Sequence, residues 1–212
     1  GYLASGMRTI LPDITVLWLC VPWIVAGGAL AVGLVRGRVP VEKPPTFREA
    51  LGVVKEDYRT GVILVVRIIN TAGLWFALPV FMALWVKTIG LSDKWLVVWG
   101  SMFISNVIWN LLWGFIGDKI GWRKCVLWFG GIGCGISMLL FYYVPVTFGP
   151  NFLLLLLVGI LAGAFLAAYV PLSAIAGVIV PKKRGCVMGL LNFGAGLSVF
   201  IGGSLGGIIY GS

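Results

Sequence analysis

The sequence predicts an all-α protein built as a polytopic membrane helix bundle, and three observations predict it. Of the 212 residues, 60% are hydrophobic and only 11% are charged, less than half the charged fraction usual in a soluble domain. Six stretches, at 16–35, 61–86, 95–116, 125–146, 152–180 and 186–210, each supply the ~20 apolar residues needed to cross a bilayer. None of them alternates polar and apolar positions over the ~10 residues of a membrane β-strand. A mean hydropathy of +1.05 agrees.

The connections orient these spans. Arg36, Arg38, Lys43, Arg48, Lys55 and Arg59 follow the first span, Lys119, Arg123 and Lys124 the third, and Lys182, Lys183 and Arg184 the fifth. The alternate connections hold only Arg8, Lys87 and Lys94. By the positive-inside rule the three basic connections are cytoplasmic. The net charge of +9 is therefore topology and not a nucleic-acid footprint. Trp95, Trp99, Trp122 and Trp128 lie near span ends, where indoles anchor in the headgroup zone.

The only long polar stretch runs from Arg36 to Thr60. Pro40, Pro44 and Pro45 keep its start extended. Thr46 and Glu49 have capping-box spacing, and Phe47, Ala50, Leu51, Val54 and Tyr58 follow at near-helical intervals. A short amphipathic helix on the cytoplasmic face is expected, joining one bundle to the next.

The residue inventory excludes most chemistry. There is no histidine, which removes His-based triads and metal ligands. Cys20, Cys125, Cys134 and Cys186 all sit in apolar stretches without CxxC spacing and read as small buried hydrophobes. The seven carboxylates, Asp13, Glu42, Glu49, Glu56, Asp57, Asp93 and Asp118, all lie outside the middles of the spans. Neither an intramembrane enzyme nor a metal or cofactor site is expected.

Polar side chains inside apolar helices are costly and tend to face a bundle interior. Arg67 and Asn70 share one face of the second span, with Arg67 about 9–10 Å along it. Arg67 either snorkels toward the cytoplasm or faces a cavity. In the third span Asn106, Trp109, Asn110 and Trp113 form a continuous i, i+3, i+4, i+7 stripe. Amides match hydroxyls and indole faces match a CH backbone, so the stripe suits a sugar alcohol; the same residues also serve as glue between helices. Tyr169 and Asn192 are single polar groups in apolar helices and weaker candidates, while Ser173 and Ser198 read as packing residues. The last span is the richest in glycine, and the Gly202–Gly206 and Gly203–Gly207 pairs have the spacing of close helix crossings.

The most specific signal is the third-to-fourth connection, Gly114-Phe115-Ile116-Gly117-Asp118-Lys119-Ile120-Gly121-Trp122-Arg123-Lys124. It resembles the G-x-x-x-D-[RK]-x-G-x-[RK]-[RK] signature of the major facilitator superfamily and lies in a tight loop between spans, as it does there. Gly114 and Gly117 are expected to let helices approach, Gly121 to permit the turn, and Asp118 to meet a cation or a helix N-terminus. Lys119, Arg123 and Lys124 hold the loop inside, and the loop acts as a gate latch.

The resemblance implies part of a twelve-helix fold with two six-helix halves. Residues 1–35 then correspond to the end of helix five and helix six, 36–60 to the central cytoplasmic linker, and 61–212 to helices seven to eleven. Opening at Gly1 and stopping at Ser212, the chain reads as an internal stretch of a longer parent, with the rest of the first half and the last helix elsewhere. A weak echo between Gly1–Gly6 and Gly206–Gly211 is in keeping with repeated halves.

Arg67-Ile68-Ile69-Asn70-Thr71, Trp113-Gly114, Gly121-Trp122, Phe141-Tyr142-Tyr143-Val144-Pro145 and Asn192 with Ala195-Gly196-Leu197-Ser198 resemble the polyol permease family. That resemblance implies import of ribitol or D-arabinitol by proton symport and alternating access, across a bacterial inner membrane. A proton carrier needs a group that titrates inside the membrane; with no mid-span carboxylate here, that group is expected in the other half. The alternative is a carrier of another small solute, a drug or an organic anion. A purely structural membrane subunit would not need the Asp118 loop.

Overall fold

The computed structural model describes residues 21, 22, 24–30, 33 and 46–211. The chain divides into two units, Gly1–Pro44 and Pro45–Ser212. In the first, residues 21, 22, 24–30 and 33 are helical. The remainder of the predicted first span, Cys20, the proline-rich start of the linker and the Gly1–Gly6 half of the echo lie outside the described residues.

The second unit begins with α1 (Phe47–Glu56), closed by the predicted capping box. The Thr46 amide donates to Glu49 Oε2 at 2.9 Å and the Glu49 amide to Thr46 Oγ1 at 3.3 Å, satisfying two otherwise orphaned donors. Its buried face differs from expectation. Val53 is fully buried, with Ala50 and Val54 packed beside it, whereas Leu51 and Tyr58 are 41% and 76% exposed. The cause is a break: Asp57 is extended (φ −143°), so Tyr58 opens a new helix and does not continue the face of α1. Thr60 Oγ1 ties the corner by donating to the carbonyls of Asp57 (2.7 Å) and Val53 (3.2 Å).

The second span is α2 (Tyr58–Phe76), a π-helical turn at Ala77–Met82, and α3 (Ala83–Thr88). Pro79 lacks an N–H, so the regular ladder cannot run through it and the wider register takes over. The third span is the unbroken helix α4 (Trp95–Ile120). The fourth combines α5 (Trp122–Cys125), a π-helical stretch at Val126–Gly133 and α6 (Cys134–Phe148). The fifth is α7 (Phe152–Ala167) and α8 (Val170–Ile179), the sixth α9 (Arg184–Gly211). Asn151 caps α7 by accepting from the Leu153 amide at 2.9 Å. Five of these assemblies are long and apolar enough to cross a membrane, matching the second to sixth predicted spans. Among the described residues there is no strand.

Packing pairs α4 with α7, α2 with α9, and α6 with α7. The α4–α7 seam is the closest. A Cβ at Gly163 would lie 2.0 Å from the Met102 carbonyl oxygen, and one at Gly159 would lie 3.0 Å from that of Val98; only glycine allows backbones this near. In the α2–α9 pair, Gly202 sits against the Ala72 carbonyl, while a Cβ at Gly203 or Gly207 would meet nothing within 4 Å among the described residues. Of the two predicted glycine pairs, Gly202–Gly206 therefore makes the crossing. Cys125, Cys134 and Cys186 are buried thiols.

One buried cluster, around Trp95, Val98, Phe141 and Leu155, closes the end that holds the weakly charged connections. Trp95 is 5% exposed and packs edge-on to Phe141. It shares a helix face with Val98 and Met102, which turns it into the bundle and not toward the headgroups. Trp99 follows it, and the N–H groups of both are buried without a partner among the described residues. The interfacial role expected for Trp95 is thus corrected; Trp99 is half-buried beside it, and Trp128 is 59% exposed.

Candidate functional site

The motif loop is a one-residue turn between two helices. Gly121 joins α4 to α5 at φ +95°, a region closed to most side chains. A Cβ at Gly117 would come 3.2 Å from Pro171 Cγ, so this glycine lets α8 approach α4. Gly114 does not act as expected: a Cβ there meets nothing within 4 Å among the described residues. Asp118 also finds a partner different from the cation or helix terminus anticipated. Trp122 Nε1 donates to Asp118 Oδ1 at 2.7 Å, bracing the turn from one helix to the next. Their i, i+4 spacing was visible in the sequence, but the intervening Gly121 hid the pairing. Lys119, Arg123 and Lys124 are exposed, and none of the three forms an ion pair among the described residues.

The polar stripe of α4 lies against α7. Asn106 Nδ2 donates to the Gly163 carbonyl at 3.3 Å and Trp113 Nε1 to the Ala164 carbonyl at 2.7 Å. Asn110 Nδ2 donates to Asn106 Oδ1 at 3.1 Å. Trp109 stacks on Trp113 with centroids 5.6 Å apart, and Trp113 on Phe129 at 4.6 Å. Trp113 is buried, while Asn106, Trp109 and Asn110 are half-buried. The glue reading of the stripe therefore describes Asn106 and Trp113; Trp109 and the Asn110 carbonyl oxygen stay without a hydrogen bond among the described residues. Sequence reasoning missed Ser105, whose Oγ donates to the Ile160 carbonyl at 2.6 Å. It lies beside the stripe, and only the glycines of α7 opposite it make that bond reachable.

Arg67 and Asn70 are both half-buried on α2. The Arg67 stem packs near Gly194 of α9, 3.7 Å from where a Cβ would stand. The guanidinium makes no hydrogen bond or ion pair among the described residues. Asn192 is exposed; two residues before Gly194, it lies on the opposite side of α9 from α2. Tyr169 is 9% exposed, its ring against Gly130, where a Cβ would come within 3.0 Å.

A groove of about 870 Å³ opens at the end holding the basic connections, between the start of α2, the α4–α5 turn and α8. Tyr169 is the one proposed substrate residue that lines it; Gly121, Arg123 and Lys124 of the motif line it too. The eight proposed substrate residues are thus distributed over α2, two interhelical joints and the outer side of α9, and do not converge on one cavity within this unit. Beside the groove, Lys183 of the α8–α9 turn bonds Glu56 at the end of α1, so the fifth-to-sixth connection and the linker helix meet. Asp57 is held below the usual carboxylate range by its side-chain bond from Arg59, 2.6 Å at the closest.

Residues 94–212 match the Major Facilitator Superfamily. The chain is 37% identical over 196 residues to an alpha-ketoglutarate permease of Bacillus subtilis, covering 89% of this chain and 45% of that one. It is 34% identical to a D-arabinitol transporter of Klebsiella pneumoniae, over 95% of this chain and 50% of the relative. It is 33% identical to a ribitol transporter of the same organism, with 95% and 49% covered. The chain spans about half the length of these curated relatives. No solved structure matches it significantly.

Proposed function

Because the chain belongs to the Major Facilitator Superfamily, we propose that it is part of a secondary transporter importing a small polyhydroxylated solute such as ribitol or D-arabinitol. It is a multi-pass integral membrane protein, and this reading places it in a bacterial cytoplasmic membrane, its relatives being from bacteria. The observation that carries the polyol reading is the likeness to the D-arabinitol and ribitol transporters along almost the whole chain. Trp109 and the free Asn110 carbonyl oxygen support it physically, since an indole face and an amide suit an uncharged polyol.

In this reading residues 61–212 give most of one half of the carrier, 36–60 the linker, and 1–35 the end of the other half. Substrate passes between the halves as they rock, and the Asp118 loop limits that motion. Coupling to protons requires an acid at membrane depth from the other half, because the carboxylates here lie outside the span centres.

A second reading has its own support. Arg67, half-buried and without an anionic partner among the described residues, suits a carboxylate substrate, and the alpha-ketoglutarate permease likeness points the same way. Uptake of labelled ribitol, D-arabinitol and α-ketoglutarate into vesicles holding the full-length protein separates the two. The polyol reading expects pentitol accumulation that survives Arg67→Gln. Accumulation of α-ketoglutarate alone, abolished by Arg67→Gln, establishes the second reading in its place.

A further inference from the structure

Beyond Tyr169 and the motif residues that line it, the groove at the basic end combines apolar walls with a cationic rim that the transport reading does not use. Its walls are apolar: Val62, Val66, Leu127, Ile175 and Val178 line it, and Val62 and Val178 are 53% and 59% exposed. Its rim is cationic, with Arg59, Arg123 and Lys124, and aromatic, with Tyr58 and Trp122. Arg59 shares its charge with Asp57. Arg123 and Lys124 have no anionic partner among the described residues. The cavity is therefore amphipathic along its length, positive at one end and oily along the rest.

We propose that this groove holds an anionic phospholipid from the leaflet facing the basic connections. Its phosphate lies at Arg123 and Lys124 and one acyl chain lies along α2 and α8. A soluble polyol would leave the apolar walls unmatched, whereas an acyl chain fits them. An anionic headgroup complements the rim, while a zwitterionic one brings its own cation to a place already positive. Tyr58 and Trp122, which line the groove beside the cations, are of the residue types that favour the headgroup zone. The position of the cations on a turn fixed by Gly121 and by the Trp122–Asp118 bond makes this a formed site and not a scatter of surface charge.

The test uses the full-length protein, delipidated in mild detergent and titrated with phosphatidylglycerol or phosphatidylethanolamine, with bound lipid counted by native mass spectrometry. Phosphatidylglycerol should be retained in preference. Each cation near a lipid headgroup contributes about a fivefold gain in affinity, so Arg123→Gln with Lys124→Gln should lower retention by more than tenfold. Val178→Trp, which fills the groove without altering charge, should lower it as well. Lys87→Gln with Lys94→Gln, at the opposite end, should leave retention unchanged. Equal retention of the two lipids, no loss on removing Arg123 and Lys124, or an equal loss on removing Lys87 and Lys94 overturns the proposal. The Arg123 and Lys124 positions are exposed and tolerate glutamine, so this arm stands even if the tryptophan variant fails to fold.

Discussion

Replacing Gly163 by alanine tests the α4–α7 seam most directly. The added methyl would stand 2.0 Å from the Met102 carbonyl oxygen and 3.0 Å from Ser105 Cβ. Moving that oxygen out to even a 3.0 Å approach requires the two helices to part by roughly 1 Å, because packed interiors offer no slack. At that separation the bonds from Ser105 (2.6 Å), Trp113 (2.7 Å) and Asn106 (3.3 Å) all exceed hydrogen-bonding distance. Bonds between membrane helices average ~0.6 kcal/mol each, so their loss costs about 2 kcal/mol, and lost dispersion contacts add to it. Gly135→Ala, at a position where a Cβ meets nothing within 4 Å among the described residues, should instead be neutral or stabilising by up to ~1 kcal/mol, as alanine is the better helix former. Reversible unfolding of the full-length protein in mixed micelles reads both changes. Gly163→Ala within about 0.5 kcal/mol of the parent, well below that cost, would refute the seam as described.

Three further outcomes are expected. Trp122→Phe removes the donor to Asp118 while keeping the ring, and Asp118→Ala removes the acceptor; each should impair vesicle uptake at unchanged membrane expression, and uptake at the parent's level in both variants would remove the latch role. Val53→Asp puts a charge into a fully buried site and should release α1, cutting stability by several kcal/mol and exposing Lys55 to trypsin; resistance like that of the parent counts against the docked helix. The depressed Asp57 pKa means that its bond to Arg59 is present at neutral pH and lost only as pH falls below the ordinary value of 3.8. Amide exchange at Arg59, whose N–H donates to Asp57 Oδ1 at 2.9 Å, corrected for intrinsic rates, should therefore hold steady from pH 7 to 5; a loss of protection within that window contradicts the assignment.

The spans and the capped linker helix were legible because each rests on local information. Apolar length decides whether a segment enters the bilayer, and Thr46 with Glu49 closes α1 without help from the rest of the chain. The polar stripe of α4 was legible as a stripe, but its partner was not. Helical spacing puts Asn106 and Trp113 on one side of the rod; only tertiary packing decides whether lipid, solute or another helix stands there. Trp95 shows the same limit from the other direction. Position near a span end argued for the interface, and the shared face with Val98 and Met102 buried it. In the motif, Gly121 was readable because a turn that tight demands positive φ, whereas the Asp118–Trp122 bond depends on how the chain leaves that turn.

All three cross-seam acceptors on α7, at Ile160, Gly163 and Ala164, are main-chain carbonyls. No side chain of α7 is asked to be polar there; what the contact demands of Gly159 and Gly163 is the absence of any bulk. The donors all belong to the facing rod, where exchanging Ser, Asn or Trp for an aliphatic residue gives up a bond across the seam. Constraint at this contact is thus one-sided: volume governs one helix, and functional groups govern the other.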